Sequence, residues 1–438
     1  MLDKNLVVLA YSGGLDTSVI CHWMAQRVYK IICCVADVGQ KEDIDGAREK
    51  ALASGAVDCV IKDMKEELVR DGGLQCLRAQ AKYQGEYLLG TAIARPFIMQ
   101  KVIEIAHEYG AGAVAHGATG KGNDQVRFKL AVDALDSSLE VIAPWSDPRA
   151  EFLEFRRMIP GRREAIEYAK QYNIPVTATL DKPWSTDRNV LHVSHESGVL
   201  EDPYKAPPDE LFEIVTPPWT MKRSRSMHLI EVDGKIQYAH SDNYKDSEDV
   251  TIGFENGYPV AVDLIRYNDG IMIMNVLNAL GGKHGIGIAD MIEERITGMK
   301  CRCVYEAPGM TLLYTAHLAL AKLCLSGDEL EDMLKMSIDY GRMVYEGKWF
   351  TDRKRSMDAR VEEWNRKITG KVRLRLCRGG LWVVGRSSPY SLYMEQIATM
   401  ESGGDYDQSD AHGFMNIFGL PVRMQAERRK KSDENNTP

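Results

Sequence analysis

Seven consecutive residues, Ser12-Gly13-Gly14-Leu15-Asp16-Thr17-Ser18, follow the apolar run Leu6-Val7-Val8-Leu9. Two glycines without Cβ atoms let backbone N–H groups close on an anion, and the hydroxyls of Ser12, Thr17 and Ser18 add donors. Asp16, Thr17 or Ser18 is expected to cap a helix running through Val19, Ile20, Trp23 and Met24, whose N-terminal end would face the same anion. The chemistry implied is phosphate binding. A P-loop is excluded, because no Gly-Lys pair in the chain is followed by Ser or Thr. The dinucleotide fingerprint is also absent after this run.

A second loop repeats the logic. His116 ends an apolar stretch and leads into Gly117, Thr119, Gly120, Lys121 and Gly122, followed by Asn123, Asp124 and Arg127 at the head of a helix carrying Phe128, Leu130, Ala131 and Leu135. Three glycines around one lysine let backbone and ammonium approach an anion together. Asn123, Asp124 and Arg127 then offer amide, carboxylate and guanidinium to a second, polar ligand.

The elements that must carry these loops alternate. Apolar runs at 6–10, 31–36, 57–61, 113–116 and 139–143 read as buried strands, and 43–54 and 92–109 as helices, the latter stopped by Gly110 with Pro96 early in it. Alternation of this kind predicts a doubly wound parallel sheet that binds ligand at its C-terminal edge, over residues 1–172. Pro144, Pro148 and Pro160 then break the pattern, and a helix over 163–172 precedes Ile174-Pro175-Val176. Hairpin signals at Asn256-Gly257 and Gly379-Gly380, with helices over 311–325 and 329–345 between them, predict an α+β domain over 173–402. Residues 403–438 read as a C-terminal arm ending in a frayed polar tail.

Composition bounds the partners. At 438 residues, two or three domains are expected, and 44% apolar with 27% charged residues is ordinary globular composition. A net charge of −8 argues against a nucleic-acid partner. No apolar run is long enough to span a membrane. Nine cysteines without a regular framework and no leader segment point to the cytoplasm.

The first loop resembles the Ser-Gly-Gly-x-Asp-Thr-Ser signature of the N-type ATP pyrophosphatases. Together with the second loop, Tyr87-Leu88-Leu89-Gly90-Thr91, Ala94-Arg95-Pro96, Ile142-Ala143-Pro144-Trp145, Lys182-Pro183-Trp184-Ser185, the stretch from Gly282 to Gly287, and Tyr305-Glu306-Ala307-Pro308-Gly309, it resembles the argininosuccinate synthase family from about residue 6 to about residue 420. The resemblance implies a ligase that joins citrulline to aspartate through citrullyl-AMP, using ATP with Mg²⁺ as substrate and no tightly bound cofactor, in a homotetramer. It implies ATP contacts at Ala10, Tyr11, Ser12, Gly13, Gly14, Leu15, Asp16, Thr17, Ser18, Ala36 and Gly117, with Lys121 near pyrophosphate. Aspartate would fall to Thr119, Asn123 and Asp124. Citrulline would fall to Tyr87, Asn123, Arg127, Ser185, Ser194, Glu293 and Tyr305. Catalysis would be positioning, with Asp124 and Arg127 foremost. Other readings are another enzyme of the superfamily, such as a tRNA thiolase, and a non-catalytic ATP-binding paralogue.

Three departures stand out. Ala92 replaces a serine whose hydroxyl the resemblance places against citrulline, so Ala92→Ser is expected to lower the KM for citrulline. Cys301-Arg302-Cys303 replaces Ser-Arg-Gly, which would strain the backbone if glycine's freedom is needed at Cys303 and disturb Tyr305. Glu294 replaces asparagine. The Cys-x-Cys pair suggests a metal or redox site, but the sequence shows no second pair or nearby histidine to complete one.

Overall fold

Val7, Val8 and Leu9 lose all solvent exposure because both faces of their strand are covered. In a computed structural model, which describes residues 2–40, 44, 46–176, 184–221, 227–232, 235–240, 247–401, 405 and 407–435, this strand is β1, Asp3–Ala10. It is followed by β2, Lys30–Asp37, β3, Asp58–Asp63, β4, Ala111–His116, and β5, Glu140–Ile142. These five form a parallel sheet in the order β3-β2-β1-β4-β5. Val7, Leu9, Ile31, Cys33 and Val35 pack against the helices Leu15–Ala25 and Arg162–Gln171 on one face. Val8, Ile32, Cys34 and Val114 pack against Gly90–Tyr109 and Asp124–Leu135 on the other. Each large side chain so covered contributes about 1.5–3 kcal/mol. The fold is α/β with a doubly wound sheet, as the alternation predicts. Its strand order reverses between β1 and β4, which is where such sheets open a ligand crevice.

The remaining strands are β6, Ser185–Asn189, β7, His192–Glu196, β8, Met227–Val232, β9, Lys235–His240, β10, Glu248–Glu255, β11, Tyr258–Val262, β12, Ile265–Arg266, β13, Ile288–Glu294, β14, Lys300–Glu306, β15, Gly370–Cys377, and β16, Gly380–Ser387. They build antiparallel sheets in the orders β12-β11-β10-β15-β16 and β13-β14-β7-β6, plus the hairpin β8-β9. The Asn256-Gly257 turn forms as expected, with both φ values positive at 50° and 77°. The second turn is centred one residue earlier than expected, on Arg378 and Gly379 at 39° and 79°. A two-residue hairpin turn of this hand needs two positive φ values, and glycine supplies the second at no steric cost.

Helix bounds shift in physically readable ways. The expected 92–109 helix begins at Gly90, and Gly110 closes it in the left-handed region. The expected 311–325 helix starts at Pro308, where a missing N–H costs nothing, and the 329–345 helix starts at Gly327 under a Ser326–Glu329 capping box. The 43–54 helix is seen as Ala47–Ala53, with Lys41, Glu42, Asp43 and Asp45 outside the described residues. Helices Gly270–Lys283 and Asp352–Asn365, and a π turn at Leu68–Gly73, were not legible. The polar tail is not frayed through 428–435 as expected. It continues the helix Leu420–Asn435, since its Glu, Arg and Lys residues are strong helix formers.

Residues Met1–Tyr390 form one compact unit and Ser391–Pro438 a second, which holds the helices Asp410–Phe418 and Leu420–Asn435. Among the described residues, no helix is long and apolar enough to cross a membrane.

The β13-β14-β7-β6 sheet is anchored from beneath by Glu306, which is fully buried. Its carboxylate accepts the N–H groups of Glu213, Ile214 and Val215 at 2.8–2.9 Å, and His195 places Nε2 2.9 Å away. Removing this acceptor strands four donors. Glu306→Ala is expected to cost about 3–5 kcal/mol, seen as a lower urea midpoint, with Glu306→Gln milder. An unchanged midpoint would show that the loop 213–215 holds itself.

Candidate active site

The two glycine loops leave adjacent strands, β1 and β4, at the point where strand order reverses, and Ala10 pairs with His116 across them. Gly13 takes φ +73°, a conformation L side chains rarely adopt, so the first loop can fold its N–H groups inward. Gly117 lies so close to the first helix that an added Cβ would sit 2.9 Å from Thr17 Cγ2. Between the loops is a cavity of about 410 Å³ lined by Ala10, Tyr11, Ser12, Asp16, Thr17, Ala36 and Gly117, among others.

Four expectations change here. The helix is capped by Gly14, not by Asp16, Thr17 or Ser18, and no side chain satisfies its first N–H groups. Ser18 is buried, its hydroxyl 2.8 Å from Tyr11 Oη and its N–H on Gly14 O, so it is not a free donor. Leu15 is buried beside it in the core. Lys121 lines neither this cavity nor the next; its side chain is exposed, and its carbonyl accepts from Arg295.

A second cavity of about 210 Å³ is floored by one face of the β13-β14-β7-β6 sheet. Alternation along strands puts Ser185 and Asp187, Ser194 and Glu196, Cys303 and Tyr305, and Glu293 on that face. Thr119 closes it from the second glycine loop, Asn123, Asp124 and Arg127 from the head of the Asp124–Leu135 helix, Tyr87 from the turn before the Gly90–Tyr109 helix and Thr91 from that helix's first turn. Tyr87 stacks on Tyr305 with centroids 4.3 Å apart. Glu293 accepts from Tyr305 Oη and Tyr345 Oη, each at 2.7 Å. Tyr345 Oη in turn accepts from Asn123 Nδ2 at 2.8 Å. Lys182 and Pro183 of the motif before Ser185 lie outside the described residues.

Arg95, Asp124 and Asp187 line both cavities. Arg95 Nε donates to Asp124 Oδ2 at 2.8 Å and Nη2 to Asp187 Oδ2 at 2.7 Å. Arg127 Nη1 donates to Asp124 Oδ1 at 2.9 Å, and its Nε to Tyr345 O. Burial alone would raise the Asp124 carboxyl, but Arg95 and Arg127 outweigh it and hold its pKa down at about 2. Asp124 therefore meets the cavities with both oxygens already engaged by guanidinium groups. Its geometry is that of a positioning residue for two arginines. Arg95, Thr91, Asp187, Glu196, Arg295 and Tyr345 were not singled out from sequence. Only Thr91 and Arg95 had a signal, inside Tyr87-Leu88-Leu89-Gly90-Thr91 and Ala94-Arg95-Pro96.

A family model described as the arginosuccinate synthase N-terminal HUP domain matches residues 6–175, and one described as the arginosuccinate synthase C-terminal domain matches 184–237 and 235–425. The chain is 45% identical over 425 residues to an argininosuccinate synthase of Carboxydothermus hydrogenoformans, covering 97% of this chain and 98% of the relative. It is 44% identical over 435 residues to one of Desulfitobacterium hafniense, covering 99% and 98%. This chain belongs to the argininosuccinate synthase family.

As a member of that family, the chain departs from the resemblance in ways the geometry resolves. Ala92 is fully buried within the hydrophobic core, its N–H donated to Tyr87 Oη at 3.2 Å. The cavity wall at this turn is Thr91, whose hydroxyl donates to Asp187 at 3.0 Å. A serine at 92 would set its hydroxyl among core side chains, so this geometry gives no reason for Ala92→Ser to lower the KM for citrulline. Cys303 lies inside β14 and is not among the described residues with positive φ, so the expected strain does not arise.

Burial pushes His116 and His192 each down to about 4, so both are neutral in the folded protein near pH 7. In the unfolded chain they protonate below about 6.5. Their folded-state pKa values are depressed, so the stability they contribute is present above about 6.5 and lost as pH falls toward 4. The thermal midpoint is expected to drop across that window, less steeply in His192→Asn. A flat profile between pH 6.5 and 4 would contradict the burial of these two rings.

Proposed function

We propose that the chain condenses citrulline with aspartate at the expense of ATP, giving argininosuccinate, AMP and pyrophosphate. What carries the reading is the wall shared by the two cavities, where Arg95 and Arg127 converge on Asp124. The larger cavity suits ATP. Its loop N–H groups, with Ser12 and Thr17, would hold the phosphates, and Mg²⁺ enters as part of the nucleotide substrate. The smaller cavity suits a zwitterionic amino acid with a polar end. Arg127 would face a carboxylate, Glu293 and the stacked Tyr87 and Tyr305 the amine and stem, and Ser185 and Ser194 the remaining polar atoms.

Across the wall, the ureido oxygen of citrulline would attack the α-phosphate and expel pyrophosphate, leaving citrullyl-AMP. The amine of aspartate, held by Thr119 and Asn123 beside Asp124, then displaces AMP at the ureido carbon. A ureido oxygen is a poor leaving group until it is adenylated, so the order of steps follows from the chemistry. Arg95 lines both cavities and is the guanidinium placed to meet charge developing at the α-phosphate. Holding both partners at that wall accounts for most of the rate.

Assembly as a homotetramer rests on the second unit, where Phe414, Ile417, Phe418 and Val422 are exposed. Work in the cytoplasm fits nine cysteines, none in a disulfide.

Sustained pyrophosphate release should require ATP, citrulline and aspartate together. Turnover that ignores the omission of either amino acid would overturn the reading, as would ATP binding without turnover. Glu293→Gln should raise the KM for citrulline by about 10- to 100-fold, the loss of a charge-assisted contact, while the Kd for ATP stays within about twofold.

A further inference from the structure

Cys301 and Cys303 stand two apart on β14, so their side chains share the sheet face that floors the smaller cavity. Their Sγ atoms are 3.8 Å apart. Glu196, on β7, is paired in register with Cys303, and its Oε2 lies 3.9 Å from Cys303 Sγ. One ligand atom from each of the three residues lies within 4.8 Å of the others. The third ligand that sequence could not supply comes from a neighbouring strand.

These separations fit a metal ion better than a disulfide. Two sulfurs bound at about 2.3 Å to a tetrahedral cation stand about 3.8 Å apart, and a sulfur and a carboxylate oxygen about 3.6 Å. A disulfide requires about 2.05 Å, and same-face neighbours on an extended strand sit about 6.6 Å apart at Cα, near the upper limit for bridging. The position is already used by a cationic group. Arg295 Nε donates to Cys301 Sγ at 3.1 Å and its Nη2 to Glu196 Oε2 at 2.5 Å. One guanidinium therefore spans two of the three ligands, with its single charge where a divalent ion would sit.

We propose that Cys301, Cys303 and Glu196 bind a thiophilic divalent cation of the Zn²⁺ class, with the fourth position open toward the smaller cavity. Binding releases the two thiol protons, forms two metal–thiolate bonds and one metal–carboxylate bond, and displaces Arg295 from the cluster. Cys303, Glu196 and Arg295 line the cavity assigned above to citrulline, so the bound ion excludes that substrate. This second part rests on the proposed function; the site itself does not.

Co²⁺, which reports thiolate ligation through charge-transfer absorption, tests the site in the full-length, chelator-treated protein. One equivalent per chain should give the charge-transfer band and tetrahedral visible bands, and Zn²⁺ should bleach them. Cys301→Ser and Cys303→Ser should each abolish the band. Arg295→Gln should tighten Co²⁺ binding several-fold, a gain that misfolding cannot mimic. In the wild type, Zn²⁺ should slow alkylation of Cys301 and spare Cys377, the other partly exposed cysteine. No charge-transfer band, or a band unchanged in Cys301→Ser, overturns the site. Zn²⁺ that binds without raising the KM for citrulline overturns the blocking role. Failure of the metal-free protein, resupplied with Mg²⁺, to release pyrophosphate would instead count against the functional reading and leave the Co²⁺ spectrum untouched.

Discussion

The pairing of Asp124 with Arg95 and Arg127 is the constraint on which the site depends. Arg127 is 3% exposed, and a guanidinium taken that far from water is tolerable only beside a carboxylate. Asp124 answers two such groups at once, with both oxygens engaged and its pKa driven to about 2. Arg95 then reaches on to Asp187 of β6, and Arg127 to the carbonyl of Tyr345. One carboxylate thereby ties the second glycine loop, the Gly90–Tyr109 helix, the antiparallel sheet and the Gly327–Tyr345 helix to a single point. Removing it would leave the buried Arg127 without a carboxylate and Arg95 with Asp187 alone, so its loss would weaken both the fold and the site.

The sheets explain why that point falls where it does. Reversal of strand order between β1 and β4 opens the crevice, and the loops that leave those strands carry the glycines. The β13-β14-β7-β6 sheet then presents polar residues on one face and Glu306 on the other. Strand alternation alone gives these two faces opposite roles: the first lines the smaller cavity, and the second fixes the strands that floor it.

Sequence revealed most where chemistry is local. The first loop, its strand and the second loop could be read from glycines beside apolar runs, because a phosphate site is built from one short stretch of backbone. Ser185, Ser194, Glu293 and Tyr305 came only through resemblance, since they meet by lateral pairing of strands more than a hundred residues apart. Arg95 and Asp187 were missed because a helix and a strand distant in sequence meet there through an ion pair. Ala92 was misjudged because helix phase, which a sequence does not state at a helix start, turns residue 91 and not 92 toward the cavity. Cys301 and Cys303 lacked a visible third ligand until β7 was placed beside β14.

The claim that two ligands meet at one wall has a direct chemical signature. With citrulline carrying ¹⁸O in its ureido group, adenylation across that wall must carry the label into AMP when aspartate displaces it. The account predicts ¹⁸O in the AMP phosphate and none in pyrophosphate. Unlabelled AMP would mean that the ureido oxygen never reaches the α-phosphate, and would contradict the shared wall as the place of reaction.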